Sequence, residues 1–241
     1  PVWEAARRAI LVAQSGGLER AVKRRFADVE VIARPKTTLR PYFKALRPYQ
    51  WVKNILVFLP IFAAHKFNTG SITQSIYAFA AFSLIASSVY IMNDLIDLKN
   101  DRDHPRKRMR PFAAGTIPIE HGALMILVLL AGGTLFASML NWLFIYVAIT
   151  YFTITVGYSL LFKKMVIFDI CVLAGLYSLR IIGGGVATHV FLSVRLLAFS
   201  MFFFFALAAI KRQAELVDMV KRGRLTSQGR GYHADDLPII S

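Results

Sequence analysis

The chain has 241 residues, 56% of them hydrophobic and only 18% charged, with a mean hydropathy of +0.51. A soluble domain carries about a quarter charged residues, and here the apolar residues come in long blocks, which excludes a large globular core and points to a polytopic membrane protein. The single cysteine, Cys171, excludes a disulfide framework and a cysteine metal site. The formal charge of +15 would suggest nucleic acid only in a soluble chain.

In chain order, residues 1–41 form a basic segment. The first 50 residues carry 11 Lys and Arg and lack the apolar region of a secretory leader. Read on their own, residues 3–12 and 17–33 are expected to be short amphipathic helices on the cytoplasmic face. Because it opens on Pro1, the chain is expected to be an excerpt of a longer protein. Six spans follow, at about 54–66, 73–93, 121–140, 142–162, 166–188 and 190–210. The first is short for the ~20 residues a spanning helix needs. It is expected to begin earlier, with Trp51 at the interface, and to kink at Pro60. The fold class is therefore all-α, a polytopic transmembrane helical bundle.

The connections alternate in charge. Of the 29 Lys and Arg, 26 fall in residues 1–53, 94–120, 163–165 and 211–241. Lys66 and Arg195 lie on the other side, and Arg180 lies within a span. The positive-inside rule then places the N-terminus, the segment after span two and the C-terminal tail in the cytoplasm. The basic excess is topological, and no nucleic-acid partner is expected.

Span two runs directly into Asn93-Asp94, followed by Asp97 and Asp101. On a helix of 3.6 residues per turn these aspartates share one face. Like charges that close repel unless a cation sits among them. Hard oxygen ligands suit Mg²⁺, which keeps several waters and takes substrate phosphates as its remaining ligands. The following loop carries Arg102, Arg106, Lys107, Arg108 and Arg110, and Pro105 ends the helix before it. Arginine forks match phosphate oxygens, so metal and arginines together make a diphosphate clamp. His104 reads as a hydrogen bonder within the loop.

The Asn-Asp-x-x-Asp-x-x-x-Asp element with its Arg110-Pro111 loop resembles the UbiA superfamily of intramembrane prenyltransferases. Arg47-Pro48-Tyr49-Gln50-Trp51-Val52-Lys53-Asn54, Asp101 to Pro105, Tyr158-Ser159 to Lys163, and Lys211-Arg212-Gln213-Ala214-Glu215-Leu216 resemble one branch. That branch holds the polyprenyl-phosphate phosphoribosyltransferases, of the decaprenyl type used in cell-wall synthesis. The resemblance covers about residues 42–241 and implies a bundle around a lipid-open cavity capped by cytoplasmic loops. About six of an expected nine spans are present, so 42–241 is expected to be a C-terminally truncated transferase domain. Pro1 to Val12 resembles, more weakly, the last segment of a haloacid dehalogenase-like domain, so residues 1–41 are expected to end an upstream domain.

The resemblance implies Mg²⁺ as cofactor, with Asp94, Asp97 and Asp101 as catalytic metal ligands. It implies substrate contacts from Lys53, Asn54, Asn93, Arg106, Lys107, Arg110, Tyr158, Lys163 and Lys211. The expected partners are a diphosphate donor and a lipid-linked substrate in a bacterial cytoplasmic membrane. The expected reaction moves phosphoribosyl from phosphoribosyl diphosphate to a polyprenyl phosphate. Prenyl transfer from a polyprenyl diphosphate to an aromatic acceptor is the alternative. A cation transporter, the alternative of another class, predicts acids near mid-membrane, whereas these acids gather at one surface.

The other polar positions follow from cost. Asp169 opens span five just inside the boundary and calls for a cationic partner or a metal-linked water. Arg180, three turns on, shares its face and either lines the cavity or snorkels outward. Gly183-Gly184-Gly185 permits a helix break or close packing, with packing the simpler reading. The Phe202–Phe205 run most simply faces lipid.

Overall fold

A short apolar triplet such as Ala9-Ile10-Leu11 fits a helical turn and a strand equally well. The computed structural model, which describes residues 9–11, 16–25, 29–31, 38–162, 165, 167–221 and 233, shows a strand. Residues Pro1–Leu39 form one compact unit. In it β1 (Ala9–Leu11) pairs in parallel with β2 (Val29–Val31), Ile10 opposite Glu30, and α1 (Gly16–Arg25) connects them. This replaces the helix expected at 3–12 by a strand at its described residues 9–11, while the helix expected at 17–33 is present as α1 and gives way to a strand at 29–31. β-branched Val29 and Val31 flank Glu30 at the two-residue period of a strand, and a parallel pair requires a crossover, which α1 supplies.

The second unit, Arg40–Ser241, is helical. After α2 (Leu39–Leu46) a 3₁₀ helix covers Pro48–Phe58 and passes into α3 (Leu59–Ala63). Then come α4 (Thr69–Ile96), α5 (Leu98–Asp103), a 3₁₀ turn at Lys107–Met109, α6 (Ile119–Ser138), α7 (Trp142–Leu160), α8 (Phe168–Thr188) and α9 (Val194–Lys221). Among the described residues five helices (α4, α6, α7, α8 and α9) are long and apolar enough to cross a membrane. The sixth expected span, about 54–66, is instead the 3₁₀ helix and α3. With roughly 2.0 Å of rise per 3₁₀ residue, these two pieces still extend about 30 Å, the thickness of a hydrocarbon core.

The helices divide into inner and outer members. The apolar windows of α4 and α8 are 61% and 56% buried, against 17–22% for α6, α7 and α9. Composition explains the division. The inner face of α4 is built from small residues, among them Ser71, Ser75, Ala78, Ala81, Ser83, Ser87 and Ser88, which let neighbouring backbones approach without a hydrophobic drive between helices. α8 runs unbroken through Gly183-Gly184-Gly185, so the triplet serves packing. A Cβ on Gly184 would fall on the Val57 carbonyl, and one on Gly183 would meet the Phe82 ring. Phe82 in turn stands edge-on to Phe144 and Tyr151, with centroids 5.5 and 4.9 Å apart, and this joins α4 to α7.

The 3₁₀ helix has its own period. At three residues per turn, Trp51, Asn54 and Val57 stack on one face. Trp51 Nε1 donates to Ser87 Oγ (3.0 Å), Asn54 Nδ2 to Ser83 Oγ (2.9 Å), and Val57 meets Gly184. Trp51, expected at the interface, is thus a half-buried link to α4. Val52 and Ile55 point outward, 62% and 54% exposed.

Candidate active site

The Asp-rich element does not stay one helix. α4 ends at Ile96, Asp97 takes a non-helical ψ of 12°, and α5 resumes at Leu98. Asp97 N still bonds to Asn93 O and Asp101 N to Asp97 O, at 2.9 and 2.8 Å, so the break is a kink. The single three-carboxylate face expected from the spacing is corrected accordingly. Among the described residues no group of three or more His, Cys, Asp or Glu is placed to hold a metal ion. α5 stops at Asp103, before Pro105, with His104 extended. His104 Nδ1 accepts from Arg106 N and Lys107 N, at 3.2 and 3.3 Å, as a loop hydrogen bonder does.

Two of the aspartates are brought together. Asp94 and Asp101 are 2% and 1% exposed. Arg110 Nη1 bridges them, 3.1 Å from Asp94 Oδ1 and 2.5 Å from Asp101 Oδ2. Arg47 Nη2 also pairs with Asp94 Oδ1. The other oxygens, Asp94 Oδ2 and Asp101 Oδ1, are buried and accept no hydrogen bond. Two orphaned carboxylate oxygens fit a Mg²⁺ ion, which is usually held by one or two carboxylates, waters and substrate phosphates and needs no all-protein cage.

A cavity of about 200 Å³ opens beside Asp94. Lys44, Arg47, Arg106 and Arg110 line it, with Tyr49, Met109 and Pro111. Four cations around one acid make it an anion site. Of the loop residues expected on substrate, Arg106 and Arg110 line this cavity. Lys107 is half-buried nearby and is not among its lining residues.

Arg47 and Lys44 are absent from the expected substrate contacts. Arg47 sits at φ 53°, ψ 58°, a left-handed conformation that a non-glycine residue rarely adopts. Pro48 follows it, Gln50 N bonds back to its carbonyl (2.8 Å), and its guanidinium lies 5.3 Å from the Tyr90 ring centre. The strain aims the side chain back over α4 toward Asp94. The Arg-Pro dipeptide was the visible signal, but a separation of 47 residues hid the pairing.

The remaining expected contacts separate by burial. Asn54, 1% exposed, is engaged by protein: it donates to Ser83 and accepts from Arg180 Nε (2.7 Å), so it positions Arg180. Asn93 donates to Ser159 Oγ (2.9 Å) and ties α4 to α7. Tyr158 donates to Asp169 Oδ1 (2.6 Å), and Arg212 pairs with Asp169 Oδ2 and with Glu215. Tyr158 is thereby engaged within the bundle. Arg212 is the cation that Asp169 required. Lys163 lies outside the described residues. Lys211 is exposed, and Lys53 is half-buried.

Arg180 points inward and is 5% exposed. Its Nη2 donates to the Tyr151 hydroxyl (2.7 Å), its Nη1 to Leu176 O (2.5 Å), and its guanidinium lies 4.9 and 5.5 Å from the Tyr151 and Tyr177 ring centres.

Comparison with known proteins agrees with this arrangement. Residues 54–225 match the UbiA prenyltransferase family. An uncharacterized protein, y4nM, of Sinorhizobium fredii is 37% identical over 99% of this chain and 47% of its own length. A decaprenyl-phosphate phosphoribosyltransferase of Mycobacterium tuberculosis is 37% identical over 78% of this chain and 64% of its own. The chain thus spans about half to two thirds of these curated relatives. The structure of a UbiA homolog from Archaeoglobus fulgidus bound to DMAPP and Mg²⁺ superposes with a TM-score of 0.65. It covers 76% of this chain and 66% of that one at 19% identity, a likeness of fold. With helices, clamp and sequence in agreement, the chain belongs to the UbiA prenyltransferase family.

Proposed function

We propose that the full-length protein is a Mg²⁺-dependent membrane transferase that moves phosphoribosyl from phosphoribosyl diphosphate to a polyprenyl phosphate. The observation that carries it is the Asp94–Asp101 pair, each with one oxygen on Arg110 and one orphaned, beside a cavity with four cations. The phosphoribosyl choice draws on the 37% identity to the mycobacterial enzyme of that name. The clustering of 26 of 29 basic residues supports a cytoplasmic position for the cavity.

In the reaction the bond from C1 of the sugar to the diphosphate oxygen breaks as a phosphate oxygen of the lipid attacks C1, and inorganic diphosphate leaves. Arg47 and Arg110 pair with the Asp94 carboxylate and hold its orientation. Arg106 and Lys44, with these two, present N–H groups to the diphosphate and stabilise the charge that develops as it departs. Asp94 and Asp101 are the residues that would hold Mg²⁺, which when bound would supply positive charge to the same leaving group. Residues 1–41, with their parallel strands, are proposed as the end of an upstream α/β domain.

The test is a transfer assay on the full-length protein with Mg²⁺. Labelled phosphoribosyl diphosphate plus polyprenyl phosphate is offered against prenyl diphosphate plus an aromatic acid. Turnover of the first pair, abolished in Asp94→Ala and Asp101→Ala, is expected. Turnover of the second pair alone would replace the donor assignment, and undiminished activity in both variants would remove the metal assignment.

A further inference from the structure

Ser87, Tyr90 and Asp94 stand at i, i+3 and i+7 on α4, so their side chains share one face of that helix. All three touch the turn at Arg47. Ser87 Oγ lies 2.8 Å from Leu46 O, the carbonyl just before Arg47, and accepts from Trp51 Nε1 (3.0 Å). The Arg47 guanidinium lies 5.3 Å from the Tyr90 ring centre, and its Nη2 pairs with Asp94 Oδ1. One helix face thus holds the backbone, the middle and the tip of this arginine in order.

Tyr90 is used differently from its neighbours. The Tyr151 hydroxyl accepts from Arg180, and the Tyr158 hydroxyl donates to Asp169. Among the described residues the half-buried Tyr90 makes no hydrogen bond through its hydroxyl. Its specific polar contact is made by the ring face, on the Arg47 guanidinium. The place of that guanidinium matters because Asp94 has two oxygens. Arg47 and Arg110 share Oδ1, and Oδ2 is left bare. A guanidinium fork meets a carboxylate most favourably with two N–H groups, one on each oxygen. Left to swing freely, Arg47 would close on both oxygens and cover the one that a metal needs.

We propose that Tyr90 is a positioning residue whose ring face holds Arg47 on Asp94 Oδ1 and so keeps Oδ2 open for the metal. The proposal rests on the reading of Asp94 as a Mg²⁺ ligand. It is specific in that Tyr90 acts only through Arg47, and its readout is metal binding, which needs neither substrate nor turnover.

The experiment titrates Mg²⁺ alone into the full-length protein in lipid nanodiscs, with thermal melting read on every variant. Tyr90→Leu and Tyr90→Met fill the space of the ring without its π-face, and Tyr90→Phe keeps the face without the hydroxyl. Each aliphatic variant is also combined with Arg47→Gln. Mg²⁺ binding is expected to weaken about tenfold in Tyr90→Leu and Tyr90→Met and to stay within about twofold of wild type in Tyr90→Phe. With Arg47→Gln no guanidinium remains at that place to cover Oδ2, so either aliphatic change added to it should alter affinity by less than about twofold. Where Tyr90→Leu melts below the assay temperature, Tyr90→Met carries the comparison. A weakening that persists in the Arg47→Gln background overturns the proposal, because Tyr90 then acts on the fold and not on Arg47. An equal loss in Tyr90→Phe overturns it by giving the role to the hydroxyl, and wild-type affinity in both aliphatic variants overturns it outright. Asp94→Asn separates the two readings. Equal Mg²⁺ binding by wild type and Asp94→Asn removes the metal reading and this proposal with it, whereas a loss in Asp94→Asn beside unchanged aliphatic variants removes this proposal alone.

Discussion

Asp94 and Asp169 lie at the same end of the bundle, since Asn93 next to Asp94 bonds to Ser159 at the end of α7, just before α8 begins. Both are almost wholly buried, at 2% and 0% exposed, and both face arginine. They differ in what is left over. Asp169 has both oxygens engaged, one by the Tyr158 hydroxyl and the other by Arg212. Asp94 crowds two guanidinium groups onto one oxygen and leaves the other bare. The saturated carboxylate of Asp169 is a strut between α7, α8 and α9, whereas the spare oxygen of Asp94 is what the proposed metal role requires. Burial and charge do not separate them; spare acceptor capacity does.

The comparison breaks if the two aspartates respond alike to the same substitution. Asp169→Asn should show the larger stability loss, on the order of 3–5 kcal/mol, because it removes the buried carboxylate from Arg212, which is 3% exposed and would still pair with the exposed Glu215. Thermal melting in detergent reads it. Asp94→Asn should instead cost about 10²–10³-fold in transfer rate, with a smaller melting-temperature loss than Asp169→Asn. Equal melting losses would mean that Asp94 is also a strut.

Tyr158→Phe sharpens the contrast. It removes one hydrogen bond from Asp169, so a loss of about 1 kcal/mol in stability is expected with donor KM nearly unchanged. A large rise in donor KM would return Tyr158 to the substrate contacts first expected of it.

The helical class, the position of the long spans and the basic cluster beside the Asp-rich element were legible because each rests on local pattern. Asp94 and Asp101 stood out for the same reason, and the requirement of Asp169 for a cation followed from the cost of burying charge. Tertiary pairing was not legible. Arg47 reaches Asp94 across 47 residues, and Arg212 reaches Asp169 across 43. The resemblance places Tyr158 and Asn54 on substrate, and what it does not reveal is their protein partners: the Tyr158 hydroxyl donates to Asp169 on α8, and Asn54 bonds Ser83 and Arg180. The kink at Asp97 escaped because spacing alone treats a helix as unbroken.

The 3₁₀ segment carries a consequence for sequence tolerance. Trp51, Asn54 and Val57 engage Ser87, Ser83 and Gly184 like three teeth on a rack, one every three residues. Inserting or deleting one residue between Arg47 and Val57 would turn everything beyond it by about 120°, disengaging the teeth on one side of the change and leaving Arg47 out of phase with Arg180. Point substitutions on its outward positions, Val52 and Ile55, should pass almost unnoticed, while the length of the segment admits no variation.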